Sequence, residues 1–417
     1  MEYHESYSAS CSSSHSNHHH EPGILTTSLT SQRSLASIPS LNNSQQPHHS
    51  TTTTTNHHCL TTLKGHTSYT SSLTLSGKFL FTGSSDREIR SFNTIPFHHS
   101  QHDENSTTTN NMVLSGKGAV KSLVIQSDKL FSAHQDHKIR VWKISSSNQE
   151  PGLQKYTHLA TLPTLGDRAS KVLIPKNHVQ IRRHKKCTWV HHVDTVSALA
   201  LSKDGTLLYS VSWDRTIKIW RIKDFTCLES VTNAHDDAIN AVAVSKDGLV
   251  YTGSADKRIK VWSKGQGEKR HNHKHTLERH NSGVNALALS TDETLLYSGA
   301  CDRSILVWEK EENDNSEGEM VVVGALRGHT KSILCLAVVD DLVCSGSADK
   351  TIRIWRGVDR EYSCLAVLEG HTGSIKCLTA VVDHCNNPSH SQQPSFLVYS
   401  GSLDCDIKVW QILLPSI

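Results

Sequence analysis

The stretch "YSVSWDRTIKIW", from Tyr209 to Trp220, decides the fold because its second half recurs along the chain. Its Asp is followed six positions later by a Trp, and an Asp and an aromatic residue share this spacing seven times. The pairs are Asp86 and Phe92, Asp136 and Trp142, Asp214 and Trp220, Asp256 and Trp262, Asp302 and Trp308, Asp349 and Trp355, and Asp404 and Trp410. Successive Asp residues lie 50, 78, 42, 46, 47 and 55 positions apart. Repeats of roughly 40–45 residues with this signature are typical of four-stranded propeller blades. We therefore predict an all-β fold with a single seven-bladed β-propeller.

The bulk composition excludes several classes of protein. The chain has 417 residues and a formal net charge of +3, which is small for a protein that coats duplex nucleic acid. No apolar run approaches the roughly 18 residues of a membrane helix, and the N-terminus lacks the apolar core of a signal peptide. The 11 cysteines include no C-x-x-C pair, and several lie in apolar runs, as reduced core cysteines do. We expect an intracellular protein, cytoplasmic and/or nuclear, without a membrane partner.

The composition also divides the chain into a tail and one domain. Residues 1–58 are dominated by Ser, Thr, His, Asn and Gln, which cannot bury enough apolar surface to offset their ordering entropy. We predict a disordered tail over 1–58 and the propeller over 59–417. An insertion at about 145–184 explains the spacing of 78 residues without an eighth blade, because it contains no Asp-to-Trp pair.

The insertion leaves two candidates for the outer strand of the second blade. The first is Lys185 to Val190, because "KKCTWVHH" has the same offset to His192 that "CLAVLEGH" has to His371. The competing candidate is "HLATL", from His158 to Leu162. The first assignment makes the insertion a module that hangs from the outer edge of the blade.

The chain ends predict how the ring closes. After Trp410 only "QILLPSI" remains, which is too short for a turn and another strand. At the other end, "CLTTLKGH" places a strand-like piece before the first blade. We expect Leu60 to Leu63 to form the outer strand of the last blade and to cover its open edge.

Each blade carries polar residues that suit a buried hydrogen-bonded chain. A His before the first strand and a Ser two positions before the Asp would join the Asp and the Trp, because a buried carboxylate needs donors. The first, second and fifth blades depart from the pattern with Phe92, His134 and Ala300, so we expect packing to hold them more than the network does. Four full sets are His192, Ser212, Asp214 and Trp220; His235, Ser254, Asp256 and Trp262; His329, Ser347, Asp349 and Trp355; and His371, Ser402, Asp404 and Trp410.

The same repetition argues against an enzyme, because a catalytic constellation is normally singular. The chain contains no G-x-S-x-G, H-E-x-x-H, G-x-x-x-x-G-K-[ST] or G-x-G-x-x-G motif. We expect no catalytic residues, no cofactor and no metal site. The histidines at 18–20 could hold a metal loosely, but a polar tail is the favoured interpretation because nothing fixes a coordination geometry.

The residue before each turn Asp is expected on a rim where loops converge, and binding residues gather on such loops. Trp213 stands out there, because the other six residues are small, polar or of modest size. An exposed Trp beside an Arg is typical of an interface hot spot, and Arg215 lies two positions away. We predict partner contacts at Trp213, Arg215, Gln135 and Leu403. A Trp packed over the loop of a neighbouring blade is an equally weighted interpretation.

Two basic segments support a rival function in nucleic-acid binding. They are "RRHKK", from Arg182 to Lys186, and "EKRHNHKH", from Glu268 to His275. A solvated charged loop is the more common interpretation of such segments, so direct binding to nucleic acid is the alternative. "RRHKK" also matches a short nuclear import signal.

With these residues in view, the sequence resembles the WD-repeat superfamily of β-propellers across residues 60–412, on motifs of the type "GSADKTIRIW". The insert "LPTLGDRASKVLIPKNHVQIRRHKK", followed by "HVDTVSALALS" and "YSVSWDRTIKIWR", resembles the plant JINGUBANG-like branch. This resemblance implies a plant regulatory scaffold or adaptor in a developmental or signalling pathway, which acts through protein partners. A transcription regulator is one candidate partner. No Asp follows the final Trp of the blades, so the W-D-x-R feature of cullin-type substrate receptors is absent.

Overall fold

The computed structural model describes residues 35–42, 55–94, 111–146, 154–172, 178–182, 185–265, 267–311, 319–358, 360–383 and 394–414. In these residues, seven antiparallel sheets of four strands confirm the predicted all-β, seven-bladed propeller. None of the helices in these ranges is long and apolar enough to cross a membrane.

Each blade runs through four strands in chain order from the innermost to the outermost, except that β1 supplies the outermost strand of blade 7. Blades 1 and 2 are β2 (Thr70–Ser76), β3 (Phe79–Ser84), β4 (Glu88–Asn93) and β5 (Asn111–Ser115), then β6 (Val120–Gln126), β7 (Lys129–His134), β8 (Ile139–Ser146) and β9 (Gln154–Leu162). Blades 3 and 4 are β12 (Val196–Leu201), β13 (Leu207–Ser212), β14 (Ile217–Arg221) and β15 (Thr226–Val231), then β16 (Ile239–Val244), β17 (Val250–Ser254), β18 (Arg258–Ser263) and β19 (Asn272–Glu278). Blades 5 and 6 are β20 (Val284–Leu289), β21 (Leu295–Ala300), β22 (Ile305–Lys310) and β23 (Met320–Leu326), then β24 (Ile333–Val339), β25 (Leu342–Ser347), β26 (Ile352–Val358) and β27 (Glu361–Leu368). Blade 7 is β28 (Ile375–Val382), β29 (Ser395–Ser402), β30 (Ile407–Leu413) and β1 (Asn56–Leu63).

The core lies between adjacent blades, whose inner strands contact one another in cyclic order. Side chains also cross the joints: Asn240 Nδ2 donates to the carbonyl of Val284 at 3.0 Å. At the joint of blades 7 and 1, a Cβ on Gly401 would lie 2.9 Å from the Cβ of Thr70. Only a residue without a side chain allows the two sheets to approach this closely.

The predicted closure of the ring is confirmed. Strand β1 pairs antiparallel with β30, so that Cys59 faces Trp410 and Leu63 faces Ile407. Leu63 is buried in the core that blade 7 shares with blade 1. Strand β1 begins at Asn56, shortly before the predicted domain boundary at residue 59.

The first assignment of the outer strand of blade 2 is wrong, and the competing segment His158 to Leu162 lies in that strand. Strand β9 pairs with β8 along its whole length, so that a hairpin joins neighbours in the chain. Lys185–Thr188 instead forms β11, which pairs with β10 (His178–Arg182) in a separate two-stranded sheet. The insertion therefore follows blade 2 and precedes blade 3.

A short helix anchors this insertion to blade 3. Helix α1 (Leu165–Val172) follows Thr164, whose hydroxyl accepts the amide of Asp167 at 3.1 Å in the manner of an N-cap. The buried carboxylate of Asp167 accepts the amide of Cys227 in the outer strand β15 at 2.9 Å. A polar contact with the outer edge of blade 3 thus fixes the insertion.

The predicted disorder of residues 1–58 is wrong for two segments. Residues 56–58 belong to β1, and residues 35–42 lie against blades 5 and 6, beginning with a 3-10 turn at Leu35–Ser37. Ile38 is buried there, because this part of the tail carries apolar residues that its overall composition conceals. The histidines at 18–20 lie outside the described residues.

Candidate functional site

The turn Asp residues hold the loops that surround one end of the ring. In blade 4, Asp256 accepts the amides of Arg258 and Asp236 at 3.0 Å each and Nδ1 of His235 at 2.8 Å. The residue after each turn Asp has a left-handed backbone, with φ between 65° and 74°. These residues are Arg87, His137, Arg215, Lys257, Arg303, Lys350 and Cys405. The carboxylate therefore fixes a tight turn and the preceding loop together.

A buried hydroxyl joins the His to the Trp in the complete blades. In blade 4, Thr252 Oγ1 lies 2.8 Å from His235 Nε2 and accepts Nε1–H of Trp262 at 2.9 Å. A neutral imidazole that donates from Nδ1 and accepts at Nε2 satisfies all these groups. The corresponding hydroxyls of blades 3 to 7 are Ser210, Thr252, Ser298, Ser345 and Ser400.

The hydroxyl lies four positions before the Asp, not two as predicted. Residues two apart on a strand face the same side, so spacing alone did not separate them. The predicted Ser residues have another role, because each accepts the amide of its turn Asp at 3.1 to 3.2 Å. They are Ser212, Ser254, Ser347 and Ser402.

The expectation that blade 5 depends more on packing than on the network assumed a gap at Ala300, and the structure shows a complete network there. His280 Nδ1 lies 2.9 Å from Asp302, and Ser298 contacts both His280 and Trp308 at 2.8 Å. Ala300 is therefore not a gap in the chain from His to Trp. In blade 1 the chain of hydrogen bonds stops at Thr82, because the Phe92 side chain has no N–H to donate.

Blade 2 contains a rearranged network. Its Trp142 donates to Ser132, whose hydroxyl lies 2.8 Å from Nε2 of His134. The other ring nitrogen of His134 lies 2.9 Å from the carbonyl of Gly118. His134 thus replaces the absent loop His from within the strand, while Asp136 pairs with Arg140.

The charges of the network are fixed by burial and hydrogen bonding. Burial acts to raise the pKa of Asp256, but the bond and charge of His235 and the neighbouring amides outweigh it and lower the pKa to about 2. Burial lowers the pKa of His192 more than Asp214 raises it. A charged Asp beside a neutral His suits a structural turn.

The residues before the turn Asp form the rim, defined by Ser85, Gln135, Trp213, Ala255, Cys301, Ala348 and Leu403. The backbone amide of each rim residue donates to the backbone carbonyl of the residue just before the inner strand of its blade, at 2.9 to 3.1 Å. One backbone position therefore recurs seven times around the ring. Trp213 is 41% exposed and Leu403 is 46% exposed, so the rim offers apolar side chains to solvent.

The four predicted contact residues lie on three blades. Trp213 and Arg215 share the turn of blade 3, and both residues are exposed. Gln135 lines a surface cavity of about 300 Å³ with Arg87 and Lys117, between blades 1 and 2. Leu403 lies on blade 7, separated from Gln135 by blade 1.

Two residues that the sequence did not single out accompany Trp213. Lys121 Nζ lies 5.8 Å from the Trp213 ring and 5.7 Å from the Tyr69 ring, and it donates to the Tyr69 hydroxyl at 3.3 Å. The signal in the sequence was a Lys in "GAVKSLV", near the start of an inner strand. These cation–π contacts orient Trp213 without burying it.

The basic segments do not form one described surface. Arg183 and His184 lie outside the described residues. In the second segment, His271 binds the buried carboxylate of Glu229 at 2.8 Å. His273 packs edge-on against Trp262, while Lys269 and Arg270 are exposed.

One group in the described ranges has the composition of a metal site: His66, Asp86 and Glu88. Two of its members already pair with each other, since His66 Nδ1 lies 2.8 Å from Asp86. The third, Glu88, pairs with Arg90 at 2.7 Å. The turn network accounts for this cluster, and it carries no argument for a metal.

The fold and its turn network define a β-propeller built from Asp- and Trp-bearing repeats. The family profile described as "WD domain, G-beta repeat" matches residues 57–93, 184–221, 225–263, 271–309, 320–356 and 362–411, which together exceed half of the chain. The protein belongs to this WD-repeat family. The matched segments leave out blade 2, where the network is rearranged.

The curated relatives are distant. The chain is 23% identical over 266 residues to "Autophagy-related protein 16" of Arabidopsis thaliana, covering 60% of this chain and 50% of the relative. It is 26% identical to "Ribosome biogenesis protein YTM1" of Eremothecium gossypii, covering 47% and 45% of the two chains. It is 29% identical to "Pre-mRNA-splicing factor cwf17" of Schizosaccharomyces pombe, covering 70% and 73%. The chain thus spans about half the length of the first two.

Proposed function

We propose that this protein is a non-enzymatic interaction scaffold or adaptor that binds a protein partner through the rim. The observation that carries the proposal is Trp213, which is 41% exposed on a turn whose backbone is fixed by hydrogen bonds. A large aromatic side chain held in place loses little entropy when it binds. Trp and Arg are also the residues that dominate protein interfaces, and Arg215 lies in the same turn.

The finer role rests on the resemblance to the plant JINGUBANG-like branch. We infer a regulatory adaptor of a plant developmental or signalling pathway that acts in the cytoplasm and/or the nucleus. A transcription regulator remains one candidate partner. The distant relatives are named for autophagy, ribosome biogenesis and splicing. These names support a fold that serves many assemblies, and they do not select one pathway.

The test compares capture of partners from plant tissue by the wild type, Trp213→Ala and Leu228→Ala. Leu228 is the control: it is 44% exposed, like Trp213, but it lies on the outer strand of the blade and not on the rim. Loss of an interface hot spot costs about 2 kcal/mol or more, so the purified partner should bind Trp213→Ala roughly 30-fold more weakly. Equal affinity of all three proteins would remove Trp213 from the interface.

The rival function in nucleic-acid binding has a separate readout. A protein that neutralises phosphates must lose affinity steeply as salt rises, because binding releases counterions. Titration of single- and double-stranded RNA and DNA at several salt concentrations would show this slope. If the slope is steep, substitution of the exposed Lys269 and Arg270 by Ala should make the affinity less dependent on salt.

A further inference from the structure

Residues 35–42, with the sequence "LASIPSLN", occupy a groove between the outer strands of blades 5 and 6. We call these residues the docked segment. The amide of Leu41 donates to the carbonyl of Ala325 in β23, and the amide of Ala325 donates to Pro39, each at 3.0 Å. The amide of Tyr362 in β27 donates to the carbonyl of Leu41 at 3.1 Å. The docked segment therefore bonds to the edges of two blades at once.

Side chains of the groove recognise the docked segment specifically. The Asn42 side chain accepts the amide of Arg327 at 2.9 Å and donates to the carbonyl of the same residue. The Arg327 guanidinium donates to the carbonyls of Leu35 and Ile38 at 3.1 Å each. Arg327 thus binds the backbone of the first half of the segment with its guanidinium and the Asn42 side chain with its own backbone.

The apolar side chains of the docked segment pack into the hydrophobic cores of the neighbouring blades. Ile38 is 6% exposed and packs into the core of blades 4 and 5 with Met320. Leu41 packs against the core that contains Tyr297 and Tyr362. A Cβ on Gly324 would lie 2.4 Å from Cγ of Leu41, so the strand leaves open the space that Leu41 fills.

The docked segment differs from the other N-terminal strand that crosses a blade edge. Strand β1 (eight residues) pairs with β30 along its length through seven residue pairs, with one register shift between Cys59 and Thr61, and completes a blade. The docked segment makes only two isolated bridges. Its other contacts come from the Ile38, Leu41 and Asn42 side chains and from the Arg327 guanidinium. Blades 5 and 6 already have four strands each, so the sheets do not need it. Peptide ligands bind sheet edges in the same way, through a short extended backbone and a few side chains that fill pockets.

We propose that the groove between blades 5 and 6 is a peptide-binding site, separate from the rim, and that residues 35–42 are its intramolecular ligand. The ligand class is an extended peptide with Leu, Ile-Pro, Leu and Asn at the spacing L-x-x-I-P-x-L-N. Only residues 43–55 separate the docked segment from β1, which keeps it at a high effective concentration near the groove. A competing peptide therefore binds only when this segment is displaced.

The test uses the full chain and a fluorescent peptide of residues 33–43. The variant Ile38→Asp with Leu41→Asp detaches the segment without changing the groove. It should bind the peptide at least about tenfold more tightly than the wild type, because a tethered competitor at millimolar effective concentration is removed. Adding Gly324→Val to this variant should abolish binding, as should Leu41→Asp in the peptide.

Hydrogen exchange provides a second readout that does not need the detached variant. In the wild type, the amides of Ala325 and Tyr362 should exchange slowly. Gly324→Val alone should make both amides exchange faster, while the melting temperature falls only modestly because the docked segment is lost and the blades stay folded. Unchanged exchange in that variant would overturn the proposal, as would equal peptide binding by wild type and detached variant. A wild-type dimer that Gly324→Val dissociates would assign the groove to a second copy and overturn the intramolecular assignment.

Discussion

Nδ1 of His235 donates to the carboxylate of Asp256 at 2.8 Å, and five other blades contain an equivalent pair at 2.8 to 3.1 Å. Each pair joins the loop before an inner strand to the turn two strands later. The network therefore positions the rim, and its energetic role can be measured blade by blade.

We expect Asp256→Ala to lower the free energy of unfolding by roughly 1–3 kcal/mol, because buried donors lose their acceptor. Asp86→Ala should cost about as much, although blade 1 has Phe92 in place of Trp. Asp86 accepts hydrogen bonds from its own loop His, His66, and from two amides, as Asp256 does from His235. The missing indole therefore leaves only Thr82 without a donor. Denaturant unfolding of both variants measures this. A clearly smaller cost for Asp86→Ala would mean that the indole supports the carboxylate.

Blade 5 tests which of two strand positions carries the hydroxyl that stabilises the network, because it has Ser298 at one position and Ala300 at the other. Ser298→Ala should cost roughly 1–3 kcal/mol, because the buried N–H of Trp308 and Nε2 of His280 both lose their partner. Ala300→Ser should be nearly neutral, since the same position in blades 3 and 4 carries Ser212 and Ser254. The two thermal unfolding curves decide the point. A larger loss of stability for Ala300→Ser than for Ser298→Ala would mean that the network depends on the position two residues before the Asp, as the sequence suggested.

The features that repeat in every blade could be predicted from the sequence. The features that depend on which distant residues meet in the folded protein could not. The seven turns and the closing strand followed from spacing, because each blade repeats the same local chemistry. Ser210 was missed in favour of Ser212, since both residues point to the same side of β13. The docked segment was missed because composition averages hide Leu35, Ile38 and Leu41, whose burial depends on a groove formed by distant strands. For the rim, the sequence identified Trp213 but not Lys121, which reaches it from the next blade.

Stability should fall as pH decreases below neutrality, in part through His134. Burial and the charge of Arg140 lower its pKa to about 4, and its bond to Gly118 offsets them only partly. The unfolded chain, with a His pKa of about 6.5, then binds more protons between about pH 6.5 and 4, so the folded state loses stability as pH falls. The loss by pH 5 is roughly 2 kcal/mol for this group.

His134→Gln provides the comparison for this pH effect, because its amide can still donate and accept. Denaturant midpoints at pH 7 and pH 5 should differ less in the variant than in the wild type. Some dependence should remain, because burial also lowers the pKa of His192 and His371. An identical difference in both proteins would exclude His134 as a contributor.

Two tryptophans of blade 3 should respond differently to truncation. Trp220→Ala removes a side chain that is 1% exposed and should cost roughly 3–5 kcal/mol. Trp213→Ala should shift the melting temperature little, because its ring is partly solvated and is held chiefly by Lys121. A stability loss for Trp213→Ala as large as that for Trp220→Ala, with partner binding intact, would identify Trp213 as a packing residue.

The closing strand should matter more to stability than the docked segment. Removing residues 1–54 deletes the docked segment and leaves β1 whole, so we expect a modest loss of stability. Removing residues 1–63 also deletes β1, exposes the core around Leu63 and opens the edge of β30, which invites strand pairing between molecules. We therefore expect a large loss of stability together with aggregation. Leu63→Asp in the full chain should lower stability in the same direction, because it places a charge in a site that is 3% exposed. Unfolding curves and light scattering measure both effects, and coincident curves for the two truncations would mean that β1 does not hold the ring closed.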